Sequence, residues 1–332
     1  METKRTESRH GRFAALLKGR ARPRRSLALM MALVIVAVMS MAGVVSADDY
    51  YKGLPPETIA GMPGVVNGDF WVNTSTTTWD NSGAIDRDVW ANFTVPATGG
   101  NVKFARLYVT VYSGNMLSNY KGYESVTLRS NNAYTLAQNQ PLDLEYFNTS
   151  GINTTSVFYP DDYFVSLSRD TSDYVSAFDV TNLITTSDVN VNIVTTNTSP
   201  KFDGRIKQAT LVVAYNVSSS AYVTRYWVNE GQDPITYKAN NQVPGETWFN
   251  GASNNSFVAA KIYANYLASN DGVYTWNGRS LTGLTNIQGN QTGLSSKSLS
   301  DTVIGSNNYL SYNRTANFYK LPLAFLKIQS GS

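Results

Sequence analysis

The chain has 332 residues, with 27 Lys and Arg against 24 Asp and Glu, no cysteine and a single histidine, His10. The absence of cysteine excludes a thiol nucleophile and a disulfide framework, and one imidazole cannot build a zinc site of the usual His/Cys kind. His10 lies in the N-terminal segment, so a Ser/His/Asp relay is also excluded if that segment is removed.

Residues 1–47 differ from everything that follows. Nine Lys and Arg between Lys4 and Arg25 precede an uncharged apolar run from Leu27 to Val45, and Val45-Ser46-Ala47 supplies small residues before Asp48. A basic region, an apolar region and a small-residue site are the layout of a secretory signal peptide, expected to be cleaved after Ala47. The run is also long enough to serve as an uncleaved anchor, the one expected membrane contact. Arg24-Arg25 has the bare form of a twin-arginine signal, but in so basic a region the very apolar run suits the general secretion route better. Two of the 24 acids lie in residues 1–47, which leaves 18 basic and 22 acidic residues and a net charge of −4 for residues 48–332. No basic cluster survives there to neutralise phosphates, so nucleic acid is not an expected partner.

Beyond residue 47, Asn, Ser, Thr and Gly punctuate short runs of β-branched and aromatic residues, and all 21 tyrosines and six tryptophans lie there. An opening strand is expected near Phe70. Ala105 to Tyr112 alternates aliphatic with polar or amphipathic residues, the period-2 signature of a strand covering a core on one face. Asp179 is placed to cap a single short turn or helix over Asp179–Ile184. Asp188 to Thr195 and Arg205 to Tyr215 repeat the strand pattern, as do Lys261 to Leu267. Asn277-Gly278, between Tyr274-Thr275-Trp276 and Arg279-Ser280-Leu281, is the preferred pair for a two-residue hairpin turn.

Many short strands without βαβ alternation predict an all-β chain of antiparallel β-sandwiches, jelly-roll or immunoglobulin-like. Similar runs in both halves suggest an internal duplication, with Thr247-Trp248-Phe249 in the second half matching the opening strand near Phe70. The expected division is a first sandwich over 48–216 and a second over 222–332, joined by the Ser-rich junction Val217 to Ala221.

Several segments together resemble a known family: Asp49 to Pro55 (DYYKGLP), Phe104 to Gly114 (FARLYVTVYSG), Phe202 to Tyr215 (FDGRIKQATLVVAY), Tyr226 to Gly231 (YWVNEG), Tyr266 to Gly278 (YLASNDGVYTWNG) and Arg314 to Leu326 (RTANFYKLPLAFL). They are similar to secreted cell-surface proteins of methanogenic archaea, domain of unknown function 3344. The resemblance covers nearly all of the chain after residue 47. It implies an extracellular or cell-surface location in an archaeal envelope, and it carries over no catalytic residues.

Nine sequons follow the export segment, at Asn73, Asn92, Asn148, Asn153, Asn197, Asn216, Asn254, Asn290 and Asn313. An Asn- and Ser/Thr-rich composition supplies most of them by chance, and they matter only in an exported glycoprotein. Asn148, Asn153 and Asn254, in polar stretches, are the strongest candidates. Asp161, Asp162, Asp203 and Asp271 are weak calcium candidates, since hard oxygen ligands often pin loops of extracellular sandwiches. The plainer reading is that Asp203-Gly204 and Asn270-Asp271-Gly272 make turns. No other cofactor is expected. Most aromatic residues are assigned to the core; Trp276, beside the hairpin tip, is the candidate for stacking on a sugar ring. A non-enzymatic structural or adhesive role follows, through self-association, other envelope proteins or wall polymers. A carbohydrate-binding module is the alternative, and a glycosidase using two carboxylates a distant third.

Overall fold

The computed structural model describes residues 56–76, 87–115, 121–142, 145–148, 155–158, 164–166, 171–235, 244–252, 257–267, 272–284, 292–300, 304–314 and 319–331. The proposed export segment, with His10, lies outside them. All described residues fall within one compact unit, 44–332.

The chain is all-β. Two short strands, β1 (Glu57–Thr58) and β2 (Gly64–Val66), precede β3 (Gly68–Thr76), β4 (Asp88–Thr94), β5 (Val102–Asn115), β6 (Gly122–Ser130) and β7 (Asn132–Pro141). A small sheet of β8 (Glu145–Asn148), β9 (Thr155–Phe158) and β10 (Phe164–Ser166) comes next. Then follow β11 (Thr171–Asp179), β12 (Asp188–Asn197) and β13 (Arg205–Asn216). The second half comprises β14 (Tyr222–Ile235), β15 (Gly245–Asn250), β16 (Phe257–Leu267), β17 (Gly272–Trp276), β18 (Arg279–Ser280), β19 (Thr292–Leu299), β20 (Asn307–Arg314) and β21 (Tyr319–Gly331).

The sheet orders reveal a repeat. The first half forms β11-β5-β13-β3 and β4-β12-β6-β7; the second forms β19-β16-β21-β14 and β15-β20-β17-β18, with every pairing antiparallel. Replacing β3 to β7 and β11 to β13 by β14 to β21 in chain order converts one pair of sheets into the other. Each half is an eight-stranded jelly roll, which resolves the choice between that sandwich and the immunoglobulin-like one. The strand near Phe70 is β3 and matches β14, whereas Thr247-Trp248-Phe249 lies on β15 and matches β4. Strands β1 and β2, near the start of the described chain, pair instead with β14 of the second jelly roll.

Four sheets stack in layers. Ala91, Phe93, Val126, Leu128, Val191 and Ile193 of the first outer sheet pack on Leu107, Val109, Leu211 and Val213 of its inner sheet. Trp227, Ile262, Leu321 and Leu326 of the other inner sheet meet Phe249, Trp276, Leu310 and Tyr312 of the second outer sheet. The two inner sheets pack back to back through Phe70, Tyr108, Val212, Ala214, Tyr226, Val228, Leu323 and Phe325. Phe70 and Tyr226 stack across this seam, with centroids 4.9 Å apart. Inner strands are therefore buried on both faces. In β13 every residue from Ile206 to Tyr215 is buried, where one-sided alternation predicted a single apolar face.

Two local expectations hold in detail. Asn277 and Gly278 adopt φ of 51° and 77° and join β17 to β18, with Trp276 opposite Arg279. Asp179 accepts a hydrogen bond from the Thr181 backbone N–H at 2.9 Å, closing a turn and not a helix.

Candidate binding faces

Among the described residues, each outer sheet of the stack carries one exposed tryptophan. On β4, Ala91 and Phe93 point into the core, so strand parity turns Asp88, Trp90, Asn92 and Thr94 outward. Trp90 is 45% exposed. Trp90 pairs with Asn192 of β12, and Asn192 with Thr127 of β6; the neighbouring row is Asn92, Asn190 and Arg129. The Arg129 guanidinium lies 4.7 Å from the Trp90 ring centroid and braces the indole by a cation–π contact. Asn192 Nδ2 donates to Asp88 Oδ1 at 2.7 Å. The result is a flat face with one indole among amides, hydroxyls, a carboxylate and a guanidinium.

The second outer sheet presents a related face from the topologically equivalent strand. Trp248 of β15 is 44% exposed, while Thr247 and Phe249 are buried. Its ring lies 4.7 Å, centroid to centroid, from that of Tyr309, its cross-strand partner on β20. Asn277 accepts from the Tyr309 backbone N–H through Oδ1 at 2.9 Å and donates through Nδ2 to Asn308 Oδ1 at 3.0 Å. The hairpin turn thus fixes the strand that carries Tyr309. Glu246, Ser311 and Thr275 form the adjoining outward row.

Trp276 is not part of either face. It is 1% exposed and lies 5.8 Å from Phe249, centroid to centroid, because Gly272, Tyr274 and Trp276 share the inward parity of β17. Its burial excludes the stacking role, and among the described residues the exposed tryptophans are Trp90 and Trp248.

Among the acidic candidates, Asp203 accepts from the Arg205 backbone N–H at 3.2 Å and pairs with its guanidinium at 3.0 Å. Gly204 sits at φ +71°, so this segment is the expected turn. Asp161, Asp162 and Asp271 lie outside the described residues. No group of three or more His, Cys, Asp or Glu placed to hold a metal occurs among the described residues. Of the sequons, Asn73, Asn92 and Asn197 are exposed and Asn216 and Asn313 half-buried. Asn148 lies on β8; Asn153, Asn254 and Asn290 fall outside the described residues.

The most perturbed carboxyl groups are interior. Glu124 of β6 accepts a hydrogen bond from Ser176 of β11, and burial pushes its carboxyl up to about 7 despite that bond. Asp173 lies in the seam against Lys207 and Lys320. Burial alone would raise its carboxyl, but the two ammonium groups outweigh burial and hold it below the usual value. Neither carboxylate is exposed, so neither presents a site to solvent.

The family described as "Protein of unknown function (DUF3344)" matches residues 49–329. The chain belongs to this family. Comparison of this DUF3344 chain with curated proteins returns no match. Among solved structures, it shares 11% identity with a β-porphyranase of glycoside hydrolase family 86 from the human gut bacterium Bacteroides plebeius, at a TM-score of 0.28, covering 71% of this chain and 38% of that one. It shares 10% identity with PNGF-II at a TM-score of 0.25, covering 79% and 66%. The chain thus spans well under half the length of the porphyranase. At TM-scores below 0.5 these likenesses establish neither a shared fold nor a shared activity.

Proposed function

We propose that this chain is an exported, non-enzymatic contact protein of an archaeal, methanogen-type envelope, and that it binds polysaccharide through its two outer sheet faces. The observation that carries this reading is the placement of Trp90 and Trp248. Each stands half-exposed on the same strand of its jelly roll, braced by a neighbour and bordered by hydrogen-bonding side chains. An indole covers the apolar face of a pyranose, while amides, hydroxyls and carboxylates pair with its hydroxyl groups. Burying the rest of one indole against a sugar contributes roughly 1–3 kcal/mol.

Two faces on opposite sides of one stack allow a single copy to bridge two chains of a polymer, which is the physical basis of an adhesive or wall-structural role. The layout of residues 1–47 supports export, and the exposed sequons Asn73, Asn92 and Asn197 support a glycoprotein. Asn92 shares its face with Trp90, so a glycan there competes with an external polymer. Retention on immobilised polysaccharides, compared between the native chain and its Trp90→Ala and Trp248→Ala variants, tests the proposal.

A further inference from the structure

Among the described residues, a buried cluster of one carboxylate and two ammonium groups joins the jelly rolls at their seam. Asp173, on β11 of the first jelly roll, has a side chain with 0% exposure. Lys320, at the start of β21 in the second, is 3% exposed and donates through Nζ to Asp173 Oδ2. Lys207, on β13, is 9% exposed, and its Nζ lies 3.0 Å from Asp173 Oδ1. The same ammonium sits 4.9 Å from the Tyr112 ring centroid. One carboxylate is thus gripped by two cations, one at each oxygen, in a place from which water is nearly excluded.

We propose that Asp173 and Lys320 condense into an intramolecular isopeptide bond, Cγ to Nζ, which locks the two jelly rolls together. An amine that hydrogen-bonds a carboxylate oxygen stands about 3–3.5 Å from the carboxyl carbon, the separation of a near-attack geometry. The reaction begins with an uphill proton transfer from Lys320 Nζ to Oδ2, against the two ammonium groups that hold the Asp173 carboxyl low, and yields a neutral amine beside an uncharged acid. The Nζ lone pair then attacks Cγ, and negative charge gathers on Oδ1, where the Lys207 ammonium stabilises it. A second Nζ proton moves to the Oδ2 hydroxyl, the Cγ–Oδ2 bond breaks and one water leaves. Of the three Lys320 protons, one stays on the amide and two depart with the water. Lys207 keeps its own proton throughout, and no oxidant or co-reactant is needed.

The bond removes one carboxylate and one ammonium from the interior, and it leaves the Lys207 ammonium beside the amide oxygen. It also closes a loop between residues 147 apart in sequence, a cross-link that a chain without cysteine cannot make as a disulfide.

Mass spectrometry of the full chain, produced in a host that does not glycosylate it, tests the proposal. The folded protein is expected to weigh less than its sequence by one water, about 18 Da. Proteolysis should yield a branched peptide joining the segments around Asp173 and Lys320. The Lys320→Arg variant should show the full mass, and Lys207→Met should accumulate unlinked chain. A folded wild-type protein at its full sequence mass, with Asp173 and Lys320 in separate linear peptides after prolonged incubation, overturns the proposal and leaves a plain ion pair.

Discussion

Gln208 of β13 donates through Nε2 to Asn265 Oδ1 of β16 at 2.6 Å, across the buried seam between the two inner sheets. Asn265 Nδ2 in turn reaches Thr210 Oγ1 at 3.2 Å and Thr74 Oγ1 at 3.3 Å. This network explains why polar residues occupy the second face of strands whose first face is apolar. Removing one member strands the others in the interior. Gln208→Ala is expected to destabilise the chain by about 1–3 kcal/mol, the cost of unsatisfied buried amide groups. Chemical denaturation of the variant checks this, and an unchanged midpoint would contradict it.

Arg106 and Glu230 make a second seam contact, a two-bond fork with Nε–Oε2 at 2.9 Å and the other guanidinium nitrogen 3.0 Å from Oε1. Arg106→Met leaves a carboxylate that is 4% exposed without its cation. The expected loss is about 3–5 kcal/mol. The double variant Arg106→Met/Glu230→Leu should recover much of it. Thermal unfolding of the three proteins distinguishes a coupled pair from two independent surface charges.

Glu124 makes stability depend on pH. In the unfolded chain its carboxyl ionises near 4.5, whereas in the fold it keeps its proton until about 7. Its contribution is therefore fully present below pH 4.5, falls as pH rises and is lost above 7. The difference corresponds to about 3 kcal/mol. Glu124→Gln should match the wild type at pH 4 and exceed it by about that amount at pH 8. Urea titrations at the two pH values measure the difference directly; equal gains at both would refute the assignment.

Gly122 admits no side chain. A Cβ there would fall 2.3 Å from the Phe202 ring, which is 1% exposed and packed in the first core. Gly122→Ala is expected to cost roughly 1–3 kcal/mol through overpacking. The coupled variant Gly122→Ala/Phe202→Leu should lose less than the sum of the two single changes, which a denaturation cycle reveals.

Strand positions and turn chemistry were legible in the sequence because they are local. The β5 alternation, the Asn277-Gly278 hairpin and the Asp179 turn each depend on residues within one short stretch. The back-to-back packing of two sandwiches was not legible, since it depends on which strands become inner. Its trace is present in the continuous apolar runs of Leu211 to Ala214 and Leu323 to Leu326, which suit strands buried on both faces. Parity would also have separated the tryptophans. Ala91 and Phe93 flag Trp90 as outward, and Tyr274 marks Trp276 as inward. At Trp248 the neighbouring Phe249 is equally aromatic, so only their observed burial decides between them.

Titration of the folded chain against a panel of soluble neutral and acidic polysaccharides tests most directly whether the outer faces bind polysaccharide through Trp90 and Trp248. Binding by at least one polysaccharide is expected, with Kd raised about 10- to 100-fold by Trp90→Ala or Trp248→Ala at the affected face. Trp276→Phe should leave the faces and the affinity intact. Absence of binding across the panel, or affinity unchanged when both exposed tryptophans are replaced, would contradict the account.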